Sequence, residues 1–178
     1  MALGIAQARG IAIDAEELRK QVAFTAGFLE QNKAGYLEGK GQGGQTDTAG
    51  FALWALDNGG WKPDAITAAV AEYLLAWQKE LPHWQPQSRR PPTEQSPFTS
   101  TYVALRGLKA FGTPEQRERI NARTEQVRAW LLATPAEDTE DRVFRLRALQ
   151  AAAAPEDAIR EAMSDLLETQ REDGGWAQ

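Results

Sequence analysis

Four acids and two arginines carry most of the chemistry open to this chain. Asp138-Thr139-Glu140-Asp141 sets three carboxylates within four residues, directly behind Glu137. Carboxylates this close repel one another's charge, which raises one pKa and keeps a proton available for general acid work. The same residues have a structural use. Asp138 or Thr139 can cap a helix N-terminus, and acids in a first turn offset the helix dipole. Asp138 with Arg142 and Asp141 with Arg145 are also spaced as i, i+4 ion pairs, and an Arg partner lowers a carboxyl pKa. Arg106 and Arg147 fill one slot in two similar segments, where a third segment has Trp54. Two such arginines can grip a diphosphate or carboxylate, or lay their stems on apolar neighbours and bond to acidic loops. Phe51, Trp54, Phe98, Tyr102 and Phe144 lie in or near the same segments. Rings at helical spacing build a core, and their π faces also attract cations.

Composition removes most other chemistries. The chain has 178 residues, no Cys, one His and a formal net charge of −5. Without Cys there are no disulfides, thiolate zinc sites, iron–sulfur clusters or Cys nucleophiles. The lone His83 rules out a site built on two imidazoles and reads as an exposed or capping residue beside Trp84. The acidic balance argues against a nucleic-acid surface. Glu137, Asp138, Glu140 and Asp141 alternate with Arg on the following turn, a poor cage for a hard cation, so neither metal nor cofactor is expected. No run approaches the roughly 18 apolar residues that cross a bilayer. The segment 1–13 lacks a basic start and is interrupted by Arg9, so it makes a poor signal peptide. The chain reads as soluble, with cytoplasm and periplasm both open, and its length fits one domain over 1–178.

The elements that must position these residues follow a repeat. Ala52-Leu53-Trp54-Ala55-Leu56, Ala104-Leu105-Arg106-Gly107-Leu108 and Arg145-Leu146-Arg147-Ala148-Leu149 share Leu at their second and fifth positions. Each follows a polar cluster, around Asp47, Thr99 and Asp138. Their spacing of about 40–50 residues is that of one helical hairpin in a repeat fold. The segment 1–6 reads as the worn end of an earlier copy. A second kind of helix lies between them. Ile66, Val70, Tyr73, Leu74 and Trp77 form one amphipathic stripe; Ile159, Met163, Leu166 and Leu167 repeat it, and Leu18, Val22, Thr25, Ala26 and Leu29 follow it. Pro63, Pro114 and Pro155, each with an acid behind it, mark helix starts. Helices are therefore expected near 14–32, 46–57, 63–79, 97–111, 114–133, 138–153 and 156–171, with no sheet. Two loops stand out: 38–46, rich in Gly, and 83–97, rich in Pro and carrying Arg89 and Arg90.

Gln170-Arg171-Glu172-Asp173-Gly174-Gly175-Trp176 resembles the QW motif of the squalene-hopene cyclase and prenyltransferase superfamily, and Gln78-Lys79-Glu80-Leu81-Pro82-His83-Trp84 is a degenerate second copy with the same step from Gln to Trp. In such a motif Gln satisfies backbone groups at a helix end while Trp packs over the connection. The resemblance covers nearly the whole chain. It implies an all-α fold, an α/α toroid with inner helices around a cavity and outer helices wrapping them. Complete relatives have about six hairpins, and about three to four are counted here. The expectation is thus a partial barrel, incomplete on its C-terminal side, which a second chain or domain would complete. The resemblance further implies a class II terpene cyclase-like activity, in which an acid at an inner helix start protonates an alkene. Asp-x-Glu-Asp stands where those enzymes have Asp-x-Asp-Asp, so Glu140 would be the proton donor, with Asp138 and Asp141 beside it. Phe51, Trp54, Tyr102, Arg106, Phe144 and Arg147 would line the cavity around an apolar, isoprenoid-like ligand. Gln78, Trp84, Gln170, Gly175 and Trp176 would be structural. The prenyltransferase branch, with its Asp/Cys/His zinc, is excluded. The alternative is a non-catalytic α/α-repeat module that binds or scaffolds.

Overall fold

The computed structural model describes residue 6, residues 9–87 and residues 96–176. The expected worn copy at 1–6 therefore lies almost wholly outside the described residues, as do Arg89, Arg90 and most of the Pro-rich loop.

Local capping chemistry explains where the helices begin. Asp14 accepts from the backbone N–H groups of Glu16 and Glu17 to start α1 (Ala15–Gln31). A short α2 (Lys33–Leu37) follows, in a stretch for which no helix was expected. Next come α3 (Thr46–Asn58) and α4 (Ala65–Ala76). Pro63 does not open α4 as its spacing suggested. Asp64 is the cap, in a reciprocal box with Thr67, and a Pro before the cap simply cannot extend the helix backwards. Ser96 caps α5 (Pro97–Phe111), with Pro97 in its first turn. A 3-10 turn (Pro114–Gln116) leads into α6 (Arg117–Ala133). Asp138 caps α7 (Thr139–Ala151) by accepting from Asp141 N, and α8 is Glu156–Glu168. The chain is all-α, with no strand among the described residues. No helix among them is long and apolar enough to cross a membrane.

These helices sort into two layers. α5 lies between α3 and α7 in one layer, while α4 and α6 pack behind α5, α1 behind α3 and α8 behind α7. The repeated leucines belong to the core: Leu53, Leu56, Leu105, Leu108 and Leu149 are fully buried, and Leu146 is partly buried against them. Val70, Tyr73 and Leu74 of the second stripe are also fully buried. The matching stripe of α8 is not, and Met163 and Leu167 are exposed.

Candidate functional site

Cross-helix contacts fix the register of α3, α5 and α7. Ser100 Oγ donates to Asp47 Oδ1 at 2.5 Å, and Thr99 Oγ1 donates to Glu140 Oε1 at 2.6 Å. Farther along, Trp54 meets Tyr102 edge-on at 5.4 Å, Tyr102 meets Phe144 at 5.7 Å, and Arg106 pairs with Asp57 at 2.5 Å. Starts meet starts and ends meet ends, so the three helices run parallel. Asp47 and Trp54, Thr99 and Arg106, and Glu140 and Arg147 are each separated by about two turns, so each pair shares one side of its helix. The result is a single face, acidic where the helices begin, aromatic in the middle and cationic where they end.

At the acidic end the three expected carboxylates have different surroundings. Asp138 is the helix cap. Asp141, buried to 9% exposure, accepts from Ser96 Oγ at 2.7 Å and from the backbone N–H of Glu137 at 3.2 Å. Glu140 is the odd one out. Thr99 holds one of its oxygens, while Oε2 is shielded from solvent with no hydrogen-bond partner. Burial pushes its carboxyl above the usual glutamate range, and the charges of Asp138, Asp141 and Asp47 push the same way against the Thr99 bond. The expected i, i+4 ion pairs do not form. Arg142 reaches Asp165 at 3.4 Å and the Glu137 carbonyl, and Arg145 donates to the Leu131 carbonyl, because both side chains turn toward neighbouring elements rather than along α7.

In the middle, the expected lining residues come together. Phe51, with 42% exposure, stacks on Trp54 at 5.9 Å. Trp54, Tyr102 and Phe144 surround the Arg147 guanidinium, whose centre lies 5.0, 4.8 and 5.8 Å from their rings. Arg106 lies 5.4 Å from the Trp54 ring. Phe98 does not join them; it is buried against Trp130 of α6 at 4.7 Å and belongs to the core. Below the rings, Asp57, Tyr102, Arg106, Lys109, Arg147 and Gln150 line an open pocket of about 520 Å³. Asp47, Thr99, Asp57 and Lys109 were not singled out for any chemical role from sequence. For Asp47 and Thr99 the missed clue is the repeat itself, because they occupy the slot of Glu140 in their own copies.

The two QW-like loops share one indole bond and differ in what the Gln holds. Trp84 Nε1 donates to the Leu74 carbonyl at 3.0 Å, and Trp176 Nε1 donates to the Leu166 carbonyl at 2.9 Å, each ten residues back at the end of the preceding helix. Gln78 accepts from Gln85 N at 2.8 Å, and Gln170 donates to the Gly174 carbonyl at 2.7 Å. The Gly175 carbonyl accepts from Arg171 N, which closes the second loop. Trp84 is fully buried, with the Arg123 guanidinium 4.2 Å from its ring centre. Arg123 also donates to the carbonyls of Gln78, Leu81 and His83. His83 is half-buried and stacked on Trp130 at 4.3 Å, not exposed; burial first and Arg123 second hold its pKa below the ordinary value. No family model, curated protein or solved structure matches this chain. Among the described residues no cluster of three or more His, Asp or Glu is arranged to hold a metal ion. The arrangement offers a protonatable acid, an aromatic cluster in which Trp54 and Tyr102 are buried with a guanidinium over them, and a basic pocket.

Proposed function

We propose that the chain is an α/α-toroid-like repeat module of the squalene-hopene cyclase kind, and that the face of α3, α5 and α7 binds an apolar, isoprenoid-like small molecule without cyclising it. The repeated Trp-to-carbonyl joint and the two layers of helices favour the architecture. The position of Arg147 carries the functional reading. A cyclase uses ring faces to hold a carbocation, and here a guanidinium already lies over those rings. A guanidinium on the ring faces occupies the place a carbocation would take, which opposes cation build-up on this wall. An apolar chain resting on the rings meets no such penalty.

Glu140 favours a second reading, acid-initiated cyclisation. A half-buried carboxyl with one oxygen anchored, the other shielded and unpartnered, and a raised pKa is suited to proton donation. One experiment separates the two. The protein is incubated with squalene and with farnesyl diphosphate, binding is followed by calorimetry, and the organic extract is read by mass spectrometry beside Glu140→Gln. Binding heat with no cyclised product is expected. A cyclised product that disappears in Glu140→Gln would overturn the binding reading in favour of catalysis.

A further inference from the structure

α1 and α6 are both 17 residues long. Set in register from their first residues, they match Leu29 with Leu131, and both are fully buried. On that side each helix meets the hairpin that follows it: Val22 closes on Gly59 after α3, and Arg128 donates to the Ala152 carbonyl after α7. The opposite sides differ. In α6 that side covers the joint of the preceding hairpin, where Trp130 stacks on His83 at 4.3 Å and the Arg123 guanidinium lies 4.2 Å from the Trp84 ring centre. The matching side of α1 carries Gln21, Phe24 and Phe28, all exposed, Phe24 to 77%. Phe28 stands where α6 has Trp130. On α8 the reverse holds. Met163, Leu167 and Trp176 are exposed there, while Val70, Leu74 and Trp84, on the helix and joint that α5 and α6 pack against, are fully buried. One surface lacks a cover, and the other is a cover with nothing beneath it. Repeat arrays close with a polar outer face, and neither of these faces is polar.

We propose that copies of this chain associate head to tail, α1 of one copy lying across α8 and the Trp176 joint of the next, as α6 lies across α4 and the Trp84 joint within one copy. Phe28 then takes the place of Trp130 on the joint, with Phe24 one turn before it. Gln21 replaces Arg123, so apolar burial rather than a cation over the indole holds the contact. Charge selects this arrangement over the pairing of two α8 faces. Residues 156–176 hold seven acids and two arginines, and residues 9–40 five acids and five bases, so two α8 faces repel while α8 and α1 do not. The two surfaces are unlike, so the interface is heterologous and each bound copy still offers a free face, which leads to rings or open chains of copies. One helix seated on one helix and a joint is a small interface, which makes the association concentration-dependent. The contact is independent of what the face of α3, α5 and α7 binds.

Sedimentation equilibrium of the full chain from micromolar to millimolar concentration tests this, with thermal melts to check that each variant is folded. The mean mass is expected to rise with concentration from the 19.6 kDa of one chain to at least twice that. Phe24→Glu with Phe28→Glu blocks one surface and Leu167→Glu the other, and each of these proteins alone should keep the mass of one chain. Their equimolar mixture should recover a dimer and stop there, because one intact α1 meets one intact α8 and the remaining surfaces are blocked. Leu132→Glu, at an exposed leucine of α6, should associate like the wild type. Serine takes the place of glutamate in any variant that melts below the wild type. Association that survives in the Leu167→Glu protein alone means that α1 pairs with α1, and survival in the phenylalanine variant means that α8 pairs with α8. Either result overturns the head-to-tail contact. So does a wild-type mass of one chain at every concentration, or a mixture of folded variants that stays monomeric.

Discussion

The three carboxylates at the start of α7 differ in what their oxygens touch, and this separates structure from chemistry. Asp138 satisfies a backbone donor, Asp141 accepts a hydroxyl and a backbone N–H, and Glu140 keeps one oxygen unpartnered in a shielded position. The crowding of acids was legible as a run of residues. Which of them would feel it was not, because Thr99 and Asp47 arrive from helices far away in sequence. The sign of the effect on stability follows from the direction of the shift. Glu140 has a folded pKa above its unfolded one, so between the two the folded state binds more protons and stability falls as pH rises through that window. Glu140→Gln removes the penalty and retains an acceptor for Thr99. Its melting temperature should exceed that of the wild type at neutral pH, and the difference should vanish below the ordinary glutamate value of 4.5. Thermal melts of both proteins across that range check it. A constant difference at every pH would mean that Glu140 is not the group that titrates.

Helix by helix, the joints repeat one indole bond while their burial differs. The step from Gln to Trp was readable because both ends of the loop use distinctive residue types. The clamp over it was not, since Arg123 sits in a helix whose exposed side is also rich in charge, and nothing local marks it as buried. Trp84 and Trp176 make the same indole bond ten residues back, yet their burial differs. Trp84 lies under Arg123 and against Thr101, fully buried, while Trp176 keeps 38% of its surface exposed. Trp84→Ala should therefore cost about 3–5 kcal/mol, the usual range for a buried large aromatic, and Trp176→Ala less than about 2 kcal/mol. Urea unfolding of the two variants measures both, and equal losses would show that the shared hydrogen bond, not the covering hairpin, carries the stability. The exposed Met163 and Leu167 make the same point, since their counterparts Val70 and Leu74 are fully buried. The stripe was legible in the sequence; whether a neighbour covers it depends on the next hairpin along.

Across the molecule, the polarised face exists because α3, α5 and α7 lie parallel at close range, and two glycines allow the approach of α3 to α5. A Cβ on Gly50 would come within 2.5 Å of Val103 Cγ2 and 3.0 Å of the Val103 backbone carbon, and one on Gly107 within 2.7 Å of Leu53 Cδ1. The sequence showed both residues inside helical segments, where Gly costs stability relative to Ala, and offered no reason for them. The reason is a contact between helices about 50 residues apart, which no local pattern encodes. Gly50→Ala should therefore reverse the helix-propensity expectation and destabilise by about 1–3 kcal/mol, as overpacking does, by pushing α3 away from α5. Gly27→Ala in α1, where nothing lies within 4 Å of the new methyl, should instead stabilise by up to about 1 kcal/mol. The same displacement would open the edge contact between Trp54 and Tyr102, so near-ultraviolet circular dichroism should change for Gly50→Ala and not for Gly27→Ala. If Gly50→Ala were as stable as the wild type with unchanged aromatic spectra, α3 and α5 would not need this close approach, and the aromatic cluster would owe its geometry to something other than the parallel register of α3, α5 and α7.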